Sequence, residues 1–177
     1  MTEVVDTNVL VIADGHGPDG SEACQAECID LLESIPATGF VALDADGEIV
    51  AEYSSTTARW TNDPSALSRV FLNWLAQELY QSDGRVLLVD AREDQGDYAL
   101  PPPLAGLIDP SDEKFLATAW QADAQLRQAG DRGWWFHRED IRRCGLNIVF
   151  HCAASMSASA VLHFGSDSCG GCATPSG

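Results

Sequence analysis

Short runs of β-branched residues alternate along the chain with longer stretches whose apolar positions recur every three or four residues. The run Val4-Val5-Asp6-Thr7-Asn8-Val9-Leu10-Val11-Ile12 reads as a first, buried strand, because β-branched side chains suit a pleated surface covered on both faces. Three polar residues interrupt it, and a buried strand holds Asp, Thr and Asn only where they have partners or chemistry. After a turn rich in Gly and Asp, Ser21 is placed to cap a helix reaching to about Ile35, since a Ser oxygen can accept a bond from the first free amides of a helix. Cys28, Leu31, Leu32 and Ile35 would form its inner face.

Residues 40–43 give a second short strand, followed by the turn Asp44-Ala45-Asp46-Gly47. Ile49, Val50 and Tyr53 then begin a short helix that carries Glu52. Residues 64–80 show a clear helical stripe of Leu67, Val70, Phe71, Trp74, Leu75 and Leu79, which makes Trp74 a core residue rather than a ligand platform. Residues 86–89 form another apolar run, Pro101-Pro102-Pro103 marks a loop that cannot be helical, and Asp109-Pro110-Ser111-Asp112 opens a helix expected to run to about Gln128. Residues 146–150 make a last strand. Strands alternating with helices predict an α/β fold, a three-layer α/β/α sandwich around a mostly parallel central sheet.

Composition sets the scale. A chain of 177 residues with 45% hydrophobic and 21% charged side chains fits one soluble domain that buries about two-thirds of its unfolded surface. Residues 1–152 are assigned to that domain and residues 153–177, rich in Ser, Ala and Gly, to a tail in which only Val161, Leu162 and Phe164 could pack. The net charge of −17, from 27 acidic against 10 basic side chains, repels phosphate backbones at long range and argues against tight sequence-independent nucleic-acid binding. A nucleic-acid substrate would have to meet a local basic strip such as Arg127, Arg132, Arg138, Arg142 and Arg143, which reads equally as a solvated helical face. No apolar stretch is long enough to span a bilayer and no basic, then apolar, leader opens the chain. The expected location is cytoplasmic, with the six cysteines reduced.

Three carboxylates stand at element ends, where an open α/β sheet forms its binding crevice: Asp6 in the first strand, Glu52 after the second, and Asp112 at a helix start. Taken singly, Asp112 is equally a capping residue. Together they resemble a known family. Val4-Val5-Asp6-Thr7-Asn8-Val9-Leu10 resembles the opening signature of PIN-domain ribonucleases, Ile49-Val50-Ala51-Glu52-Tyr53 resembles their second acidic position, and Asp112-Glu113-Lys114-Phe115-Leu116-Ala117-Thr118-Ala119 their third. Gly130-Asp131-Arg132-Gly133-Trp134-Trp135 resembles the final motif and makes Asp131 a fourth candidate, although an Asp beside Gly is also a turn former. Asp109 could exchange roles with Asp112 or Asp131.

The resemblance implies a PIN-like fold over most of the chain and endonucleolytic cleavage of single-stranded RNA. Many small bacterial members of that family are the toxin half of a toxin-antitoxin pair, so an antitoxin or other protein partner and homodimerisation are expectations of the resemblance, although this chain is longer than the compact toxins and carries an extra tail. The residues themselves argue for a hard-metal acidic site: clustered carboxylates call for a cation, and oxygen donors select Mg²⁺ or Mn²⁺. Asp6, Glu52, Asp112 and Asp131 would hold the ion, Thr7 and Asn8 would orient them, and Arg127, Arg132 and Arg138 would meet RNA.

A rival metal site is built of sulfur: Cys24 and Cys28 on one helical face with Cys169 and Cys172 in the tail have ligands enough for structural zinc. Cys144 and Cys152 read as core residues. No nucleophile elbow, P-loop or dinucleotide turn is present. The alternative from another class is a PIN-like scaffold of weak or absent catalysis that binds a protein partner through Trp134 and Trp135.

Overall fold

The first strand is shorter than the apolar run that announces it. In a computed structural model describing residues 1–17, 21–81, 84–93 and 96–157, β1 (Thr2–Val5) ends before Asp6, and Asp6 caps helix α1 (Thr7–Ala13). The polar triplet that interrupts the run is therefore a strand-to-helix junction, and Val9, Leu10 and Ile12 are buried from a helix rather than a strand. Helix α2 (Glu22–Thr38) starts at the expected cap, Ser21, whose hydroxyl accepts the Cys24 amide at 3.2 Å. It buries Cys28, Leu31, Leu32 and Ile35 as its spacing dictates.

Strand β2 (Phe40–Asp44) leads through Gly47, in the left-handed region at φ 77°, into α3 (Glu48–Trp60), longer than expected. Helix α4 (Leu67–Tyr80) begins later than expected because its first turn is given to an Asp63–Ser65 turn. Phe71 and Leu75 are buried, Trp74 is half-buried against Phe71 with the Arg85 guanidinium over its ring, and Val70 and Leu79 face solvent. Strand β3 (Val86–Val89) follows.

The largest departure lies after Asp112. Helix α5 (Glu113–Gln121) stops about two turns short of Gln128, the chain reverses at Asp123 with φ 48°, and Gln125–Ala129 forms strand β4. Its polar spelling, Gln-Leu-Arg-Gln-Ala, hides a central strand: β4 lies between β1 and β5, and Leu126, Gln128 and Ala129 are wholly buried. Tertiary position overrides weak local preference here. Two short helices, α6 (Arg132–Phe136) and α7 (Arg138–Arg143), precede β5 (Ile148–His151).

All four strand pairings are parallel, in the order β3-β2-β1-β4-β5. From β1 the chain steps outward to β2 and β3, then returns to β4 on the other side of β1 and continues to β5. Helix α1 packs against α2, α3 and α4, while α5 packs against β1, β2 and β4; the right-handed crossovers usual for parallel strands set these two groups on opposite faces. The expected α/β/α layering is thus the one observed. The reversal of direction falls between β1 and β4, and the crevice beyond the carboxyl ends of those two strands is where such a sheet binds ligands. Asp6 follows β1 and Asp131 follows β4 by two residues.

Two expectations about the cysteines and the tail change. Helix α2 packs against β5, which brings Cys24 and Cys152 to a Cα separation of 4.6 Å in a disulfide where reduced thiols were expected. Met156, in a helical turn at 153–157, is buried in the core. Val161, Leu162, Phe164, Cys169 and Cys172 lie outside the described residues.

Candidate metal centre

Each acidic residue is set by a local device. Asp6, 2% exposed, accepts the Asn8 amide on Oδ1 at 2.9 Å as the cap of α1, while its own amide donates to the Arg127 carbonyl at 2.8 Å and ties the end of β1 to β4. Thr7 donates its hydroxyl to Glu52 Oε1 at 2.5 Å. The start of α3 is fixed by the buried Asp44 carboxylate, which accepts the Glu48 and Ile49 amides at 2.7 and 2.9 Å. One turn on, the buried Tyr53 hydroxyl donates to the Val5 carbonyl. Tyr53 thereby pins α3 to the end of β1 and holds the adjacent Glu52 beside Asp6.

Asp112 stands at the cap position of α5 yet makes no capping bond; its Oδ2 instead accepts the indole N–H of Trp134 at 3.2 Å. Its role at the helix start is thus free for something other than capping. Asp131 caps α6, taking the Gly133 amide at 2.7 Å and the Trp134 amide at 3.4 Å. Trp134, buried to 1% exposure, therefore links two of the four carboxylates through its backbone and its ring. That burial corrects the expectation of an exposed tryptophan anchor. Trp135 is half-buried edge-on to Phe150, with Arg138 over its ring.

The charges of the other three carboxylates act on Asp6. Burial drives the Asp6 carboxyl well above its ordinary range, the Asn8 amide opposes this, and the charges of Asp112, Asp131 and Glu52 each push it further up. Burial also raises Asp112; the Trp134 indole resists, Asp131 and Glu52 add to the rise, and the Lys114 ammonium lowers it. Lys114 is the cation of the cluster. Its buried side chain, two residues after Asp112, reaches Glu52 Oε2 at 2.5 Å and also the Ser111 carbonyl.

The donor set is all carboxylate oxygen, the chemistry of a hard divalent cation. The carboxylates sense one another but are not drawn into a closed shell: among the described residues, the trio of ligand atoms within 4.8 Å of one another is the sulfurs of Cys24, Cys28 and Cys152. Carboxylate ligation at about 2.0–2.6 Å would require Glu52 to turn from Lys114 toward Asp6.

The remaining candidates separate. Asp109 is exposed and engaged by the Ser111 amide and hydroxyl, which lower its pKa, and it does not appear among the charges acting on Asp6. Asn8 contributes its backbone amide to Asp6, and its side chain lines a small hollow with Trp60 and Gly130. Arg127 sits on a strand, not on the helical face expected for it, and its guanidinium is held by Glu3 through bonds of 2.6 and 2.9 Å. Arg138 pairs with Glu139 at 3.7 Å and donates to the Trp135 carbonyl, and Arg132 opens α6 directly after Asp131.

Sequence reasoning passes over Lys114 and Tyr53. A lysine in the first turn of a helix opposes the helix dipole, and that misfit is the signal that could have marked Lys114. Tyr53 carries no such mark, since its hydroxyl acts only once α3 meets β1.

No family model matches the chain, and no curated protein matches it. Among solved structures it is similar to VapBC2 from Rickettsia felis bound to a DNA fragment from their promoter, at 14% identity and a TM-score of 0.43 over 85% of this chain and 98% of that one. It is also similar to FitAB bound to an IR36 DNA fragment, at 18% identity and 0.40 over 85% and 95%. FitAcB from Neisseria gonorrhoeae gives 21% and 0.38 over 82% and 95%.

Proposed function

We propose that the chain is a Mg²⁺- or Mn²⁺-dependent endoribonuclease that cleaves phosphodiester bonds of single-stranded RNA. The observation that carries this reading is the placement of a buried Asp6 at the sheet's switch point with Asp112, Asp131 and Glu52 as the charges acting on it. A buried carboxylate pressed by three others is costly without a counter-cation, and enzymes keep such arrangements where the charge is used.

Asp6, Glu52, Asp112 and Asp131 would hold the ion. When bound, it supplies a water nucleophile at neutral pH and offsets charge developing on the phosphodiester. Thr7 and the Trp134 indole orient Glu52 and Asp112 through the bonds described above. Lys114, if released from Glu52, would be free to contact a phosphate oxygen. Arg132 and Arg138 open α6 and α7, the two helices that follow Asp131, and would meet RNA there; Arg127, committed to Glu3, supports β4 instead.

The test is calorimetric titration of Mn²⁺ into the wild type and Asp6→Asn, with single-stranded RNA cleavage followed on the same samples. Metal binding and cleavage that both vanish in the variant support the reading. Cleavage retained in both Asp6→Asn and Asp112→Asn would sink it.

One observation favours a second reading, a module of weak or absent catalysis that binds a protein partner: the Lys114 ammonium already neutralises Glu52. Metal binding without RNA cleavage would support that reading, and a partner, antitoxin-like or a second copy of the chain, would then be sought by co-purification and by sedimentation of the free protein.

A further inference from the structure

On the far side of the sheet from Trp135, α2 lays two cysteines against the end of β5. Cys24 and Cys28 are one helical turn apart and so share a face. Cys152 follows the last residue of β5. The three sulfurs lie within 4.8 Å of one another, and all three residues are buried, at 2%, 0% and 4% exposure. Cys24 and Cys152 are joined as a disulfide, while Cys28 is a free thiol beside them, its pKa pushed up to about 12 by burial first and the Glu27 charge second.

Two features set the trio apart from an ordinary apolar contact. A third sulfur is superfluous to a disulfide. The Cys152 backbone is held at φ 69°, a left-handed conformation that is unfavourable for a residue with a Cβ and tends to persist where a side chain must be aimed. The Glu27 carboxylate, on α2 between the two cysteines, accepts the Cys152 amide at 3.4 Å and stands 3.7 Å from His151 Nδ1.

We propose that Cys24, Cys28 and Cys152 form a soft-metal site for Zn²⁺, of which the Cys24–Cys152 disulfide is the oxidised, metal-free state. Zinc takes thiolates at about 2.3 Å in a tetrahedron, which sets its sulfurs about 3.8 Å apart, inside the spread observed. Three thiolates from a helix turn and a strand end supply one face of the tetrahedron, with water or the neighbouring Glu27 carboxylate at the fourth vertex. The site is chemically distinct from the acidic centre, because thiolates select soft and borderline ions and carboxylates hard ones, and it does not depend on the nuclease reading.

The exchange balances without further reagents than thiols and disulfides. Two low-molecular-weight thiols give two electrons and two protons to the Cys24–Cys152 bond, leave as their own disulfide, and free two cysteine thiols. Zn²⁺ then displaces one proton from each of the three cysteines. In reverse, a small disulfide takes two electrons from the Cys24 and Cys152 thiolates, becoming two thiolates; the Cys24–Cys152 bond re-forms, Zn²⁺ leaves, and Cys28 takes back a proton.

The test uses the full chain, reduced with a phosphine that is then removed, and titrated with Co²⁺ as a spectroscopic stand-in before displacement by Zn²⁺. A sulfur-to-cobalt charge-transfer band with tetrahedral visible bands, saturating at one ion per chain, is expected from the reduced protein and from a Cys169→Ser/Cys172→Ser variant. The same bands should be absent from the oxidised protein and from Cys28→Ala. Because the charge-transfer band reports only sulfur ligation, ions at the carboxylates do not register. No such band in the reduced wild type, an undiminished band in Cys28→Ala, or loss of the band on replacing Cys169 and Cys172 would each overturn the assignment. The wild-type spectrum decides the matter even if Cys28→Ala fails to fold.

Discussion

At the scale of single residues, Asp6 carries two tasks that a single substitution can separate. Asparagine caps a helix as well as aspartate does, so Asp6→Asn keeps the bond from the Asn8 amide while removing the charge. Because burial raises the Asp6 pKa, its contribution to stability is complete below the unfolded value near 3.8 and is lost as the pH rises through the higher folded value. In metal-free protein at neutral pH, Asp6→Asn should therefore melt above the wild type, by about 2–4 °C if about 1 kcal/mol of strain is relieved. Thermal scans against pH should show that gap closing as the pH falls toward 3.8; a gap independent of pH would mean that the charge is not the cause. Trp134→Phe tests the opposite kind of contribution. It keeps the buried ring but removes the indole donor to Asp112, and loss of such an outer partner typically weakens metal binding about 10–100-fold. Mn²⁺ titration of the folded variant measures it, and unchanged affinity would leave Trp134 as packing alone.

At the scale of elements, β4 shows how position outweighs spelling. Its Gln128 is fully buried and neither amide atom has a hydrogen-bond partner, the arrangement in which a polar group costs about 1–3 kcal/mol. Gln128→Met, of similar length and shape, should raise stability by about 1–2 kcal/mol in urea unfolding, and a loss would point to a buried water bonded to the amide. The same strand places the junction that leads to Asp131. Gly130 sits at φ 74°, where a side chain strains the backbone, and a Cβ there would meet Ile12 Cδ1 at 2.9 Å and force that methyl to turn aside. The close packing of α1 on this turn is what sets Asp6 and Asp131 at the same crevice.

At the scale of the whole molecule, a net charge of −17 makes the folded chain repel itself and any phosphate polymer. Raising monovalent salt from about 0.01 to 0.15 M shortens the screening length from about 30 to 8 Å, and the melting temperature of metal-free protein should climb accordingly. A divalent ion at about 100 times its Kd should add about 2.7 kcal/mol more in the wild type but not in Asp6→Asn, a difference that calorimetry at fixed ionic strength would read. The sequence by itself determined the α/β class, the Ser21 cap and inner face of α2, the turn at residues 44–47, and the four carboxylates worth watching, because apolar spacing and capping chemistry act over a few neighbouring residues. Only the tertiary structure decided that residues 7–13 form a helix, that residues 125–129 form a central strand, that Trp134 is buried against Asp112, and that Lys114 lies among the acids. It also decided the pairing of Cys24 with Cys152, 128 residues apart. Each of these is a contact between distant segments, and such contacts stabilise only when the sheet order has already brought those segments together.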